Sequence, residues 1–357
     1  MGLSQSHKAI IAKAQSVGAG QQGISLNPNI CTYLIAVIVS DLGLVEKFPD
    51  LGILPGPFFS SGSLADLTLA EGDFLQYFEQ LLQYTQDADT YFHCLATLHK
   101  ARLKYEKILQ TQPVPTIDQV GPRGMLQFGS LSPKALAGLL LWRKWIYDID
   151  NRAAQETGYV FEPIIAASIG GVPVSATKSP IRRQSDKTKG RQVDCIRPDG
   201  RAYEIKIRVT IAASGQGRWR EELDFPTDCK ASGYTPVLVV LDPTPNVKLQ
   251  ELKKSFLAVG GEVFIGEAAW EHLRSLAGAT MSKFLEIYVH QPIQALLSEV
   301  PKKGEAMAEI SFFMTEQKLE IKVGTETYSL NRTPLASEAS EEDSLPEDVD
   351  EQTPGPS

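Results

Sequence analysis

The 357-residue chain has little cysteine, and its four residues, Cys31, Cys94, Cys195 and Cys229, form no CxxC pair. That spacing excludes a zinc ribbon and a disulfide framework and points to reduced thiols in a cytosol. Long hydrophobic runs are missing as well. The longest, residues 33–39, is far short of the roughly 20 residues a bilayer-spanning helix needs. No secretory leader pattern stands at the start, so a cytoplasmic protein without membrane contact is expected. Met1-Gly2-Leu3-Ser4-Gln5-Ser6 fits a myristoylation pattern, but with no other membrane signal it reads as chance. Histidine is scarce; His93 and His99 are six apart, off a shared helical face, and make no metal pair. No internal repeat is found.

An excess of positive charge is also lacking. The net charge is −8, but residues 334–357 hold eight acidic and no basic side chains, which leaves the rest formally neutral. This tail is rich in Ser, Glu, Asp and Pro, cannot bury a core, and reads as a disordered, solubilising segment. With 43% hydrophobic and 22% charged residues, the remainder is long enough for one large or two modest domains.

What is present is concentrated between residues 178 and 220. Residues 192–209 read as a β-hairpin about the turn Pro198-Asp199-Gly200, in which Pro presets φ, Asp suits the second position and Gly takes the left-handed one. The register pairs Arg197 with Arg201, Ile196 with Ala202, Cys195 with Tyr203 and Asp194 with Glu204. With period-two alternation, Glu204, Lys206 and Arg208 share one face, while Ile205, Ile207 and Val209 share the apolar one. Asp194 then stands opposite Glu204 with Cβ atoms about 5 Å apart, an arrangement that like charges make unfavourable. A hard cation such as Mg²⁺ relieves it, and a neighbouring Lys206 can orient or deprotonate a bound water. The chemistry indicated is metal-assisted hydrolysis of a phosphodiester.

A Glu-x-Lys on a strand is most often a solvated face, and Glu320-Ile321-Lys322 is read that way, as an ordinary surface hairpin strand. The first site differs in its surroundings. Residues 178–191 carry six basic side chains and one acidic, and Arg197, Arg201, Arg208, Arg218 and Arg220 add to them. Phosphate contacts from such residues supply much of the affinity for DNA.

Asp, turn and Glu-x-Lys together resemble the PD-(D/E)xK nuclease superfamily. The literal Pro198-Asp199 is a decoy in the turn; the matching carboxylate is Asp194, preceded by Val193 rather than Pro. The surrounding pattern reads as a short helix at 161–168, a strand at 172–176, the hairpin, a doubly buried strand at 236–242, a helix at 247–259, a strand at 262–266 and a helix at 267–276. The fold class expected is α/β (mixed α+β), a restriction-endonuclease-like αβββαβ core with a helical N-terminal region. Helices are expected at 29–45, 64–84, 90–110 and 132–155, and a loop at 116–124. Trp142 and Trp145 read as packing residues. The segments expected are a helical region 1–115, a nuclease core 116–300, a β-hairpin extension 301–333 and the acidic tail 334–357.

More narrowly, residues 203–219 with 232–238 and Leu241-Asp242-Pro243-Thr244 resemble the ApaLI-type family of type II restriction endonucleases. The resemblance implies a homodimer that cuts both strands of double-stranded DNA at GTGCAC with Mg²⁺. A cognate DNA methyltransferase would then protect the same host. In this scheme Asp194, Glu204 and the Ile205 backbone carbonyl hold Mg²⁺, and Lys206 orients the water. Glu162 either adds a carboxylate through water or serves only the helix dipole. Arg182, Arg183, Lys187, Lys189 and Arg208 are the candidate phosphate contacts, and Arg218 and Arg220 the candidate base readers. The rival readings are a structure-specific repair or recombination nuclease on the same core, and a non-catalytic DNA-binding protein that keeps the fold.

Overall fold

The computed structural model describes residues 2–17, 23–59, 63–70, 72–207, 216–299 and 305–333, apart from the side chains of 123, 154–159 and 216–218. The N-terminal elements are α1 (Gln5–Gln15), α2 (Pro28–Asp41), α3 (Phe74–Tyr84) and α4 (Ala88–Thr111). They are followed by α5 (Ile117–Gly124), α6 (Pro133–Ser168), β1 (Val172–Val174), β2 (Val193–Ile196) and β3 (Arg201–Lys206). Then come α7 (Gln216–Ala231), β4 (Thr235–Val240), α8 (Val247–Ala258), β5 (Glu262–Ile265), α9 (Glu267–Leu285) and α10 (Gln291–Ser298). A last group comprises β6 (Ile310–Met314), β7 (Lys318–Val323) and β8 (Glu326–Asn331).

Two compact units result, Met1–Leu103 with Gln155–Lys302 and Lys104–Ala154 with Lys303–Ser357. These bounds cut through α4 and α6, whereas the segments expected at 1–115, 116–300, 301–333 and 334–357 break at loops. The acidic tail lies outside the described residues.

The first unit is built on a mixed five-stranded sheet in the order β1-β2-β3-β4-β5. The first two pairs are antiparallel and the last two parallel. This is the mixed α/β architecture anticipated, with α6 before β1 and α7 crossing from β3 to β4. Residues 236–240 of β4 are all buried, as expected of a parallel strand covered on both faces. On one face, Ala202, Leu238 and Val240 pack with Phe225 and Cys229 of α7 and with Leu249, Leu252 and Phe256 of α8. On the other, Tyr203, Ile205, Val237 and Val239 join a larger core with α2, α4, the end of α6 and α9. All four cysteines are buried and free.

α2 begins at Pro28 behind the N-cap Asn27, whose side chain accepts the Ile30 N–H at 2.9 Å, a start of the kind Pro at the first turn favours. Ten of its 14 residues are buried, so it is a core helix rather than an amphipathic surface one.

Several expectations differ from the structure. The helices expected at 132–155 and 161–168 are one helix, α6, with Pro163 inside. A proline there lacks the N–H that closes the turn and costs about 3 kcal/mol. Burial of Ile164, Ile165 and Ala166 in the core offsets that cost. The expected loop at 116–124 is the helix α5. Its start carries an overlooked capping-box spacing: Gln119 reaches back to accept the Thr116 N–H at 3.0 Å. The helix expected over 64–84 is a single tight turn at Leu64–Asp66 followed by α3. Asp73 caps α3 by accepting the Leu75 N–H at 2.9 Å. The expected end near 276 corresponds to Gly278, whose φ of 67° interrupts α9.

The second unit contains the antiparallel sheet β6-β7-β8. The Glu320-x-Lys322 strand is its central strand, rather than half of a simple hairpin. Glu320 pairs with Lys318 at 2.7 Å. Trp145 is buried with Leu109, Ile149 and Leu319, and Trp142 packs beside them. Both tryptophans are thus packing residues.

His99 lies fully buried in the first unit. Tyr33 and Phe58 flank it at ring-centroid distances of 6.3 and 5.7 Å, and among the described residues neither ring nitrogen has a hydrogen-bond partner. Burial and the Arg102 charge push its pKa down to about 4. The unfolded chain therefore takes up a proton near pH 6.5 that the folded chain refuses until about pH 4. Folding stability from this group is complete above the unfolded value. It declines as pH falls through that window, by a total of about 3 kcal/mol. Urea unfolding of His99→Phe between pH 7 and pH 4 is expected to show a shallower loss than the parent. An identical slope would contradict this account.

Candidate active site

The β2–β3 hairpin sets the geometry. Gly200 has φ of 82°, the left-handed conformation required at the end of the turn. The Arg197 N–H bonds the Arg201 carbonyl at 3.0 Å, and Cys195 faces Tyr203 while Ile196 faces Ala202. Asp199 stays in the turn, paired with Arg197 and Arg201 at 3.2 Å each. It is a turn residue, as its position in the sequence indicates.

One step further along the hairpin, Asp194 and Glu204 come together. The Asp194 Oδ2 accepts the Ile205 N–H at 2.8 Å. Burial pushes the Asp194 carboxyl well above the usual carboxylate range. The Glu204 charge and then the Glu162 charge raise it further, against the Ile205 N–H and Lys206. Glu162, carried on α6, thus lies within electrostatic reach of the pair. Lys206 Nζ sits 3.0 Å from Glu204 Oε1 and 3.4 Å from Glu222 Oε2. Burial pulls the Lys206 pKa down. The charges of Glu204 and Glu222 outweigh that and hold it above the ordinary lysine value, so the ammonium is charged in this arrangement.

The crowding of the Asp194 carboxyl by Glu204 and Glu162 is what a hard divalent cation would relieve. Among the described residues no three His, Cys, Asp or Glu side chains are grouped to hold a metal alone. Mg²⁺ does not require such a cage: it is commonly bound by one or two carboxylates, with water and substrate phosphate completing its shell. The residues present fit that mode.

The basic segment is a built loop. Its neck closes through an Arg182–Gly190 bridge and the bond from Arg191 N–H to the Ile181 carbonyl at 2.9 Å. Ile181 is buried. Asp228 of α7 accepts the Gln184 N–H at 2.7 Å and Arg191 Nε at 2.8 Å. Ser232 accepts the Arg182 N–H at 3.1 Å. Arg191, one of the six basic residues of this segment, is therefore buried and committed to Asp228. The Arg182, Lys187 and Lys189 side chains are exposed. Arg183 is half-buried and paired with Glu221 of α7 at 2.7 Å. Arg220 is exposed on α7. Arg208 and the Arg218 side chain lie outside the described residues.

Sequence reasoning missed Glu222. Its contact with Lys206 crosses from strand to helix, and no local spacing announces it. The available signal was an acidic pair, Glu221-Glu222, on the helix that follows a Glu-x-Lys strand.

The ApaLI-like restriction endonuclease family matches residues 65–290. The type II restriction enzyme ApaLI of Acetobacter pasteurianus is 48% identical over 292 residues, covering 80% of this chain and 78% of that protein. No solved structure matches at a significant level. The sheet presents paired carboxylates and a lysine beside a basic loop. With these similarities, the chain belongs to the ApaLI-like restriction endonuclease family.

The Arg191–Asp228 pair yields a stability test. Removing one partner of a buried pair leaves an uncompensated charge and costs about 3–5 kcal/mol. Asp228→Ala is expected to lose that much in urea unfolding. It should also admit trypsin at Arg182, Arg183, Lys187 and Lys189 well below the melting temperature. A loop as resistant as in the parent would show that Asp228 is not its anchor.

Proposed function

We propose that this restriction endonuclease makes Mg²⁺-dependent double-strand breaks in DNA at a short palindrome, GTGCAC, the site implied by its resemblance to the ApaLI-type family. The observation that carries this reading is the grouping of Asp194, Glu204 and Lys206 at one place on the β2–β3 hairpin.

In this scheme Asp194, Glu204 and the Ile205 backbone carbonyl would hold Mg²⁺, and Glu162 would add a further carboxylate near the pair. When bound, the ion makes a coordinated water acidic and stabilises charge on the scissile phosphate. Lys206 offers three N–H donors on a compact charge, suited to orienting that water and a phosphate oxygen. Arg182, Arg183, Lys187, Lys189 and Arg208 contact phosphates along the duplex. Arg218 and Arg220 are the assigned base readers, since arginine pairs with guanine edges in the major groove. One carboxylate pair serves one strand, so breaking both strands of a palindrome calls for two copies, arranged as a homodimer. A methyltransferase of the same specificity in the same bacterial cytoplasm would keep the host DNA from being cut.

The test is digestion of a sequenced plasmid with and without Mg²⁺, followed by sequencing of the ends. Discrete fragments sharing GTGCAC are expected with Mg²⁺ and none with EDTA. Random nicks would favour a structure-specific nuclease, and salt-sensitive binding without cleavage would favour a binding protein. Lys206→Ala is expected to cut about 10²–10⁴ times more slowly. Asp194→Asn is expected to abolish cutting yet to melt higher than the parent, because it puts a neutral amide where a half-buried carboxyl is crowded by Glu204 and Glu162. A lower melting temperature would contradict the repulsion argued for this pair.

A further inference from the structure

We propose that Glu222 is a positioning residue for Lys206, the carboxylate that keeps the ammonium in the cleavage centre once Glu204 is engaged by a divalent cation. The inference rests on the reading of Asp194, Glu204 and Lys206 as that centre.

Lys206 Nζ is held between two carboxylates, Glu204 at 3.0 Å and Glu222 at 3.4 Å. The two differ in kind. Glu204 belongs to the metal-binding pair on the hairpin. Glu222 stands on α7 and comes to Lys206 from across the layer. A lysine stem has four rotatable carbons and no preferred fork geometry, so its end stays where its counter-charges hold it. When a cation takes the Glu204 oxygens, that counter-charge is shared and a like charge arrives close by. Among the described residues, Glu222 is the other carboxylate that stands within ion-pair distance of Nζ.

α7 is fixed well enough for this task. Phe225 is buried and stacks on Phe256 of α8 with centroids 5.9 Å apart. Cys229 is fully buried, and Asp228 is tied to Arg191 and the Gln184 N–H. Pro226 lies inside the helix, four residues after Glu222. It has no N–H to close the turn on the Glu222 carbonyl, which relaxes the helix at this residue. The preceding residue, Glu221, pairs with Arg183 of the basic loop at 2.7 Å. One turn of α7 therefore carries counter-charges for both the cleavage lysine and a candidate phosphate contact.

The experiment compares the full-length parent with Glu222→Ala, Glu222→Gln, Lys206→Ala and, as a control on the same helix, Asp224→Asn. Three quantities are read: single-turnover cleavage of a GTGCAC duplex as DNA and Mg²⁺ are varied, anisotropy binding to that duplex in Ca²⁺, and thermal melting. Glu222→Ala is expected to lower the maximal rate about 10- to 100-fold, the range for outer-shell partners, with half-saturating DNA and binding in Ca²⁺ unchanged. Glu222→Gln, which keeps an oxygen facing the ammonium and tests the contact should the alanine variant fold poorly, is expected to recover part of the rate. Asp224→Asn is expected to match the parent.

A parental rate for both Glu222 variants would overturn the proposal, as would a loss confined to DNA affinity. A rate restored by raising Mg²⁺ would also overturn it, by making Glu222 a cation ligand. If Lys206→Ala itself cuts like the parent, the reading of the centre fails and the proposal falls with it. If Lys206→Ala is inactive and Glu222→Ala is not, the proposal fails alone.

Discussion

The register of one hairpin governs this site. Asp194 and Glu204 meet because β2 and β3 pair Cys195 with Tyr203 and Ile196 with Ala202, and the turn at Gly200 fixes that pairing. A slip of one residue would send every side chain of β3 to the opposite face. Glu204 and Lys206 would then enter the core lined by Tyr203 and Ile205. The apolar alternation that secures the core is thus the same constraint that assembles two carboxylates and a lysine. The fold tolerates their mutual repulsion because burial of the neighbouring residues leaves the strands no other register.

Charge around this hairpin is divided between structural and available groups. Arg191 is spent on Asp228, Arg183 on Glu221, and Arg197 and Arg201 on Asp199. Arg182 and Lys187 are exposed on a loop whose backbone is held by α7. Counting basic residues along the sequence overstates the charge open to a polyanion, while the anchoring raises the value of what remains. A loop held in advance loses less conformational entropy on binding than a floppy one.

Much of this was legible beforehand because the signals were local. The turn residues, the strand alternation and the doubly buried run at β4 each declare themselves within a few positions. The proximity of Asp194, Glu204 and Lys206 followed from the same arithmetic of alternation. What escaped notice depended on tertiary context or on a rule given too much weight. Pro163 reads as a helix start, yet core burial carries α6 through it. Gly121 and Pro122 read as a loop, although Thr116 and Gln119 cap a helix there. Glu222 meets Lys206 only after the crossover from β3 through α7 brings the helix back over the sheet, so no spacing rule reaches it. The two-unit division cuts α4 and α6 mid-helix, where no break in the sequence occurs.

The cysteines add a practical property. Cys31, Cys94 and Cys195 are buried, and desolvation pushes each thiol up to about 12; Cys229 is raised in the same way. Oxidation and alkylation proceed through the thiolate, which is scarce at such values and sealed from solvent here. The folded enzyme should therefore keep its thiols through long exposure to air. Disulfide crosslinking between molecules would first require the chain to unfold and expose these thiols.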